Sequence, residues 1–167
     1  LSDFDFELPP ELIAQHPAAE RSASRLLDGR EPELADRHFY QLPDLLQAGD
    51  LLVFNDTQVI KARVFGEKSS GGKIELLIER VLDGNEVVAH MKVSKKPAVG
   101  GVLHMVGGKK AGGFDAVLMG RWPNAMGALF RLRLDGPRGE TPWELMQQHG
   151  HIPLPPYIER EQQSGQD

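Results

Sequence analysis

A chain of 167 residues with 40% hydrophobic and 26% charged side chains suits one ordinary domain or two small ones, and its apolar content argues against disorder. The lack of cysteine excludes disulfides, thiolate metal sites and a cysteine nucleophile. No apolar run approaches the roughly 20 residues of a membrane-spanning helix and no basic-then-apolar leader opens the chain, so a cytoplasmic protein without membrane attachment is expected.

Asp3, Asp5 and Glu7 alternate with Phe4, Phe6 and Leu8, the period of a short half-buried strand. Pro9-Pro10 stops it, and Pro10 suits the first turn of a short helix over residues 11–15, ended by Pro17. Arg25 to Gly29 reads as a clipped strand entering a turn, residues 38–42 as another strand, and Pro43 to Leu46 as a helical turn. The apolar run Leu51-Leu52-Val53-Phe54 has no polar alternation, which predicts a strand buried on both faces. Three turn formers, Asn55-Asp56-Thr57, close it. From Val59 the pattern alternates, with Val59, Lys61, Arg63 and Phe65 on one face and Ile60, Ala62 and Val64 on the other. The chain is expected to leave one sheet there and enter a second.

Strands are then predicted over residues 73–81, 86–93, 102–106, 114–120 and 128–134, joined by turns such as Asp83-Gly84-Asn85 and by paired glycines. Short strands at this spacing with no helix among them indicate a small antiparallel barrel or sandwich. Helix returns at Thr141-Pro142-Trp143-Glu144, which has an N-cap, a proline at the first helical position and a capping-box glutamate; Gly150 is the expected stop. The prolines in residues 151–158 hold that run extended. The layout is therefore α/β: a discontinuous α/β domain (residues 1–61 and 136–167) interrupted by a small antiparallel β-barrel (62–135).

The net charge of −5 is unevenly spread. Residues 61–133 carry 13 Lys and Arg against 6 Asp and Glu, a balance of +7, whereas the rest of the chain carries 6 against 18, a balance of −12. A basic segment on an acidic body suits a polyanionic partner, and the turn Ser94-Lys95-Lys96-Pro97 makes Lys95 and Lys96 the candidate phosphate contacts. Neither a P-loop nor a Gly-x-Gly-x-x-Gly fingerprint is present, which removes the usual nucleotide-binding loops. His149 and His151 lie two apart with no third ligand nearby in sequence, so no metal is expected. Asp56, at the tip of the apolar run, and Glu75, beside the Gly71-Gly72 turn, are the candidate general bases.

In order, the chain holds Phe4 to Pro9, Leu12 to Pro17, Asn55 to Gly66, Gly71 to Glu75, Ser94 to Pro97 and Gly150 to Ile158. This series resembles the S-adenosylmethionine:tRNA ribosyltransferase-isomerase family of queuosine biosynthesis. The resemblance implies transfer of the ribosyl part of S-adenosylmethionine to 7-aminomethyl-7-deazaguanine at the wobble position of a tRNA with a GUN anticodon, giving epoxyqueuosine. S-adenosylmethionine is a co-substrate, and no metal or other cofactor is implied. Substrate contacts are implied for Asn55, Thr57, Arg63, Gly71, Gly72, Lys73, His151, Pro153, Pro155 and Tyr157. The discontinuous domain of the family continues beyond Asp167, so the chain by itself is expected to be inactive. The competing reading is a non-catalytic RNA-binding barrel.

Overall fold

From Arg63 onward, strand after strand buries every second side chain. In the computed structural model, which describes residues 2–30, 32–155 and 157–158, six strands close into an antiparallel barrel. They are β3 (Arg63–Lys68), β4 (Lys73–Val81), β5 (Glu86–Val93), β6 (Val102–Met105), β7 (Phe114–Trp122) and β8 (Leu129–Asp135), in the cyclic order β3-β4-β5-β8-β7-β6. The inward positions are apolar: Val64, Leu76, Val87, Leu103, Met105, Ala116 and Leu132 are fully enclosed. Each Leu or Val so enclosed stabilises the fold by about 1.5–3 kcal/mol relative to exposure. The register of β4 against β5 shifts between Ile78 and Arg80. Strict alternation would send Arg80 inward after Ile74, Leu76 and Ile78; the bulge leaves it exposed instead.

Helix α2 (Pro142–His149) starts as its sequence predicts. Thr141 Oγ1 accepts from the Glu144 amide, and the Glu144 carboxylate accepts from the Thr141 amide at 2.8 Å. The amide of Thr141 holds the Glu144 carboxyl below its ordinary pKa. Leu145 and Met146 enter the barrel core from this helix. Gly150 ends α2 without a left-handed turn; a Cβ there would lie 1.9 Å from the Lys61 carbonyl, so glycine is required by close packing.

Among the described residues, 2–57 with 155, 157 and 158 form one compact unit and Gln58–Leu154 another. The first contains a two-stranded ribbon, β1 (Arg25–Asp28) with β2 (Ala35–His38), the four-residue helix α1 (Leu42–Leu45) and several 3-10 turns. Its single buried described residue is Asp28. That carboxylate accepts from Arg30 at 3.0 Å through both Nε and Nη2, and from Arg37 Nε at 2.9 Å. The Arg30 hydrogen bond is the main cause that draws its pKa well below the usual carboxylate range.

Four sequence expectations fail in this unit. The short helix expected over residues 11–15 is only a 3-10 turn at Pro10–Leu12. Residues 3–8 form no strand: a 3-10 turn covers Ser2–Phe4, and Phe4 and Phe6 are exposed. The second ribbon strand ends at His38, and Phe39–Gln41 is a 3-10 turn rather than strand. Residues 51–54 form no strand either, with Leu51 and Val53 each 86% exposed. A strand apolar on both faces needs neighbours on both sides, and the ribbon of this unit provides no sheet for it to join.

Candidate active-site groove on the barrel

Strand β6 has four residues and pairs with β3 only along Gly66–Lys68. Past β6 the Val106 amide still donates to the Phe65 carbonyl at 3.0 Å, and at Arg63 His151 takes the neighbouring place. Its amide donates to the Arg63 carbonyl at 2.7 Å, and the Arg63 amide donates to its carbonyl at 3.1 Å. The segment after α2 is thereby stitched to the barrel, and the His151 ring lies 5.4 Å from the ring of Phe65, tilted by 57°.

Phe65 points outward and is 44% exposed. Across the ladder it faces Glu75, as Arg63 faces Leu77. Arg63 Nε lies 3.2 Å from Glu75 Oε1, with both side chains about three-quarters covered. The contact is an ion pair without hydrogen-bond alignment, because Arg63 Nε is buried and lacks a hydrogen-bond partner. Arg63 Nη2 also reaches the Leu154 carbonyl at 3.4 Å. Phe65, Lys73, Ile74, Glu75, Lys92, Val93 and Ser94 line a groove of about 420 Å³. An aromatic ring, a half-buried carboxylate and two lysines thus meet on one outer face of the barrel. Such a set can stack a planar ring, attract an anion and offer an oxygen base.

The structure therefore places Lys73 and Glu75 on the groove wall, Arg63 against Glu75, and the His151 ring against Phe65. Gly71, whose φ of +83° suits glycine, and Gly72 form the turn that leads into Lys73. Pro153 follows His151 in the same unit and is half-buried. Lys95 and Lys96 are exposed on the β5–β6 connection.

Asn55, Asp56 and Thr57 belong to the first unit, where Asn55 Oδ1 accepts from the Thr57 amide at 2.9 Å, an Asx turn on an exposed stretch. Pro155 and Tyr157 belong to the same unit, both exposed, and Gln15 Nε2 donates to the Tyr157 carbonyl at 3.1 Å. Of the seven groove residues only Lys73 and Glu75 are among the site residues the sequence singles out; Phe65 and Lys92 are the aromatic and charged side chains it missed. A signal for Phe65 is present, since alternation sets it on the face of Arg63, but an aromatic residue on a strand reads first as core. The His149 ring lies 5.8 Å from that of Phe114, tilted by 40°. Among the described residues no cluster of three or more potential metal ligands occurs, and no helix is long and apolar enough to cross a membrane.

Comparison with known proteins extends over the entire chain. The family model for queuosine biosynthesis protein matches residues 1–167. A protein of Dechloromonas aromatica named S-adenosylmethionine:tRNA ribosyltransferase-isomerase is 50% identical over 95% of this chain and 43% of its own length. One of the same name from Azoarcus sp. is 47% identical over 96% of this chain and 43% of its own length. The solved S-adenosylmethionine tRNA ribosyltransferase of Thermotoga maritima is 30% identical, with a TM-score of 0.41, over 88% of this chain and 48% of that one. The chain thus spans less than half the length of the relatives it matches. With the family model covering every residue and identity near one half to two of its members, the chain belongs to the queuosine biosynthesis protein family.

Proposed function

We propose that this chain is the barrel-bearing portion of an S-adenosylmethionine:tRNA ribosyltransferase-isomerase, and that the groove beside Phe65 and Glu75 is its contribution to the reaction centre. The observation that carries the reading is a groove walled by Phe65, Lys73 and Glu75, with Arg63 paired to Glu75 and the His151 ring set against Phe65, in a chain 50% identical to a protein of that name. The substrates are S-adenosylmethionine and a tRNA of GUN anticodon that carries 7-aminomethyl-7-deazaguanine.

The chemistry follows from the sulfonium. Its positive charge acidifies the adjoining ribose carbon, and a carboxylate base removes a proton there. The electron pair opens the ribose ring and adenine leaves. The aminomethyl nitrogen attacks the opened sugar, and the epoxide closes as methionine departs. Glu75 is the base in this scheme, held in place by Arg63, while Phe65 offers a face to a planar ring. Asp56 is the second candidate. The sulfonium supplies the activation, so the scheme needs no metal.

The fold reading has a finer part as well. Residues 51–54 become a buried strand of a discontinuous α/β domain once the remaining length present in the relatives is in place. An apolar run with Leu51 and Val53 each 86% exposed is the pattern expected of a strand whose sheet lies elsewhere.

The test uses this chain extended to the length of its relatives, given S-adenosylmethionine and precursor tRNA, with adenine release as the readout. Release is expected, and Glu75→Gln should abolish most of it while Asp56→Asn retains more. Absence of release from the folded extended protein overturns the reading, and the reverse order of the two variants moves the base to Asp56.

A further inference from the structure

We propose that one end of the barrel, where the connections β3–β4, β5–β6 and β7–β8 emerge, is a face that grips RNA phosphodiesters; this rests on tRNA being the partner. Three observations support it.

The first is topological. In a closed barrel of alternating strand direction, those three connections leave from the same end. Contacts tie them together: Lys68 Nζ donates to the Lys95 carbonyl at 3.0 Å, and both Lys96 and Arg121 lie over the Phe130 ring.

The second is composition. The connecting residues 69–72, 94–101 and 123–128 contain Lys95 and Lys96 and no Asp or Glu. The nearest carboxylate in sequence is Glu67 on β3, which stands opposite Lys73 in the ladder. Small residues dominate the first loop, Ser69-Ser70-Gly71-Gly72, so a phosphate can approach its backbone closely.

The third is how the cations are held. Lys68 is anchored on a carbonyl. Arg121 donates to the Ala128 carbonyl at 3.2 Å, and its guanidinium sits 4.2 Å over Phe130. Lys96 Nζ lies 6.0 Å from the centre of the same ring. These partners are neutral. They fix the cations in place and leave the charge uncancelled. Elsewhere in this unit arginines meet carboxylates: Arg131 with Glu86, Arg138 with Glu140 and Arg63 with Glu75. Three cations prepositioned on neutral partners, with exposed Lys95 beside them, suit a chain of phosphates, each of which releases a counterion when bound.

The experiment measures binding of the 167-residue chain to an unmodified tRNA across a salt series, without S-adenosylmethionine. Lys95→Gln with Lys96→Gln should weaken binding at least tenfold at low salt. It should also lower the slope of log K against log salt by roughly 1.5, at about 0.7–0.9 for each phosphate no longer neutralised. Arg121→Gln should lower the slope again, and Arg121→Lys should restore it. Neutralising Lys110 and Arg133, which lie away from these three connections, should leave the slope unchanged. The substituted groups lie outside the core, so unchanged melting of each variant certifies its fold.

The proposal is overturned if the Lys95/Lys96 pair leaves the slope intact, if the Lys110/Arg133 pair lowers it equally, or if the chain binds phosphatidylglycerol vesicles or an acidic peptide but not tRNA. Adenine release by the extended protein separates the two readings. Release with a KM for tRNA unmoved by the Lys95/Lys96 pair defeats this face alone, and a shifted salt slope without release defeats the reaction alone.

Discussion

The barrel unit and the first unit differ in where their apolar residues find partners. In the barrel every strand meets its neighbours within the segment 63–135, and side chains such as Val64, Leu76 and Leu132 reach zero exposure. In the first unit the one buried described residue is a carboxylate, Asp28, while Phe4, Phe6, Leu51, Val53 and Phe54 face outward. Both sequences are apolar enough to bury. What separates them is closure: a barrel leaves no edge to complete, whereas a strand built for two neighbours has nothing to gain until both are present.

The comparison can be broken most forcefully at the groove. In the extended protein, Glu75→Gln should reduce turnover by about 10²–10⁴-fold, the usual contribution of a positioned base, with S-adenosylmethionine binding largely retained. Rates of adenine release with and without saturating tRNA check this. Next in size is the core. Leu132→Ala should cost the barrel about 2–5 kcal/mol, while Val53→Ala in the 167-residue chain should stay within about 0.5 kcal/mol; urea unfolding of both variants measures the contrast. Equal losses would show that the first unit has a core of its own. Thr141→Ala removes the cap of α2 and should cost about 1 kcal/mol, seen as a modest shift of the same transition.

Acid should act on both units with the same sign. The folded carboxyls of Asp28, Glu140 and Glu144 lie below their ordinary values, chiefly through hydrogen bonds from Arg30, the Arg138 amide and the Thr141 amide respectively. Their stabilisation is present above the unfolded values near about pH 4. It is lost as pH falls below that toward the folded values. Melting followed from pH 7 downward should be flat until that range and then decline, and Asp28→Asn should flatten the decline assigned to the ribbon.

Much of the barrel was legible because its signals are local. Alternation in residues 73–79 tells inside from outside, Asp83-Gly84-Asn85 marks a hairpin, and Thr141 with Glu144 marks a helix start. Glu75 was legible from its place beside the Gly71-Gly72 turn, and Arg63, Lys73 and His151 from a family resemblance, but the seat of His151 beside Arg63 depends on β6 pairing with β3 only along Gly66–Lys68. Residues 51–54 misled for the opposite reason: an apolar run reports a tendency to be buried, and burial itself requires a partner that the run cannot specify. The ribbon was half-read: Arg25 to Asp28 forms a strand as expected, while the strand expected over residues 38–42 runs instead over Ala35–His38, and the pairing of the two was not legible.

Amide hydrogen exchange at residues 51–54 tests the contrast between the two units most directly. The account predicts unprotected exchange there in the 167-residue chain, strong protection in the extended protein, and barrel amides such as those of Leu76 and Leu132 protected equally in both. Residues 51–54 that exchange freely in both forms, or barrel amides that become protected only on extension, would contradict it.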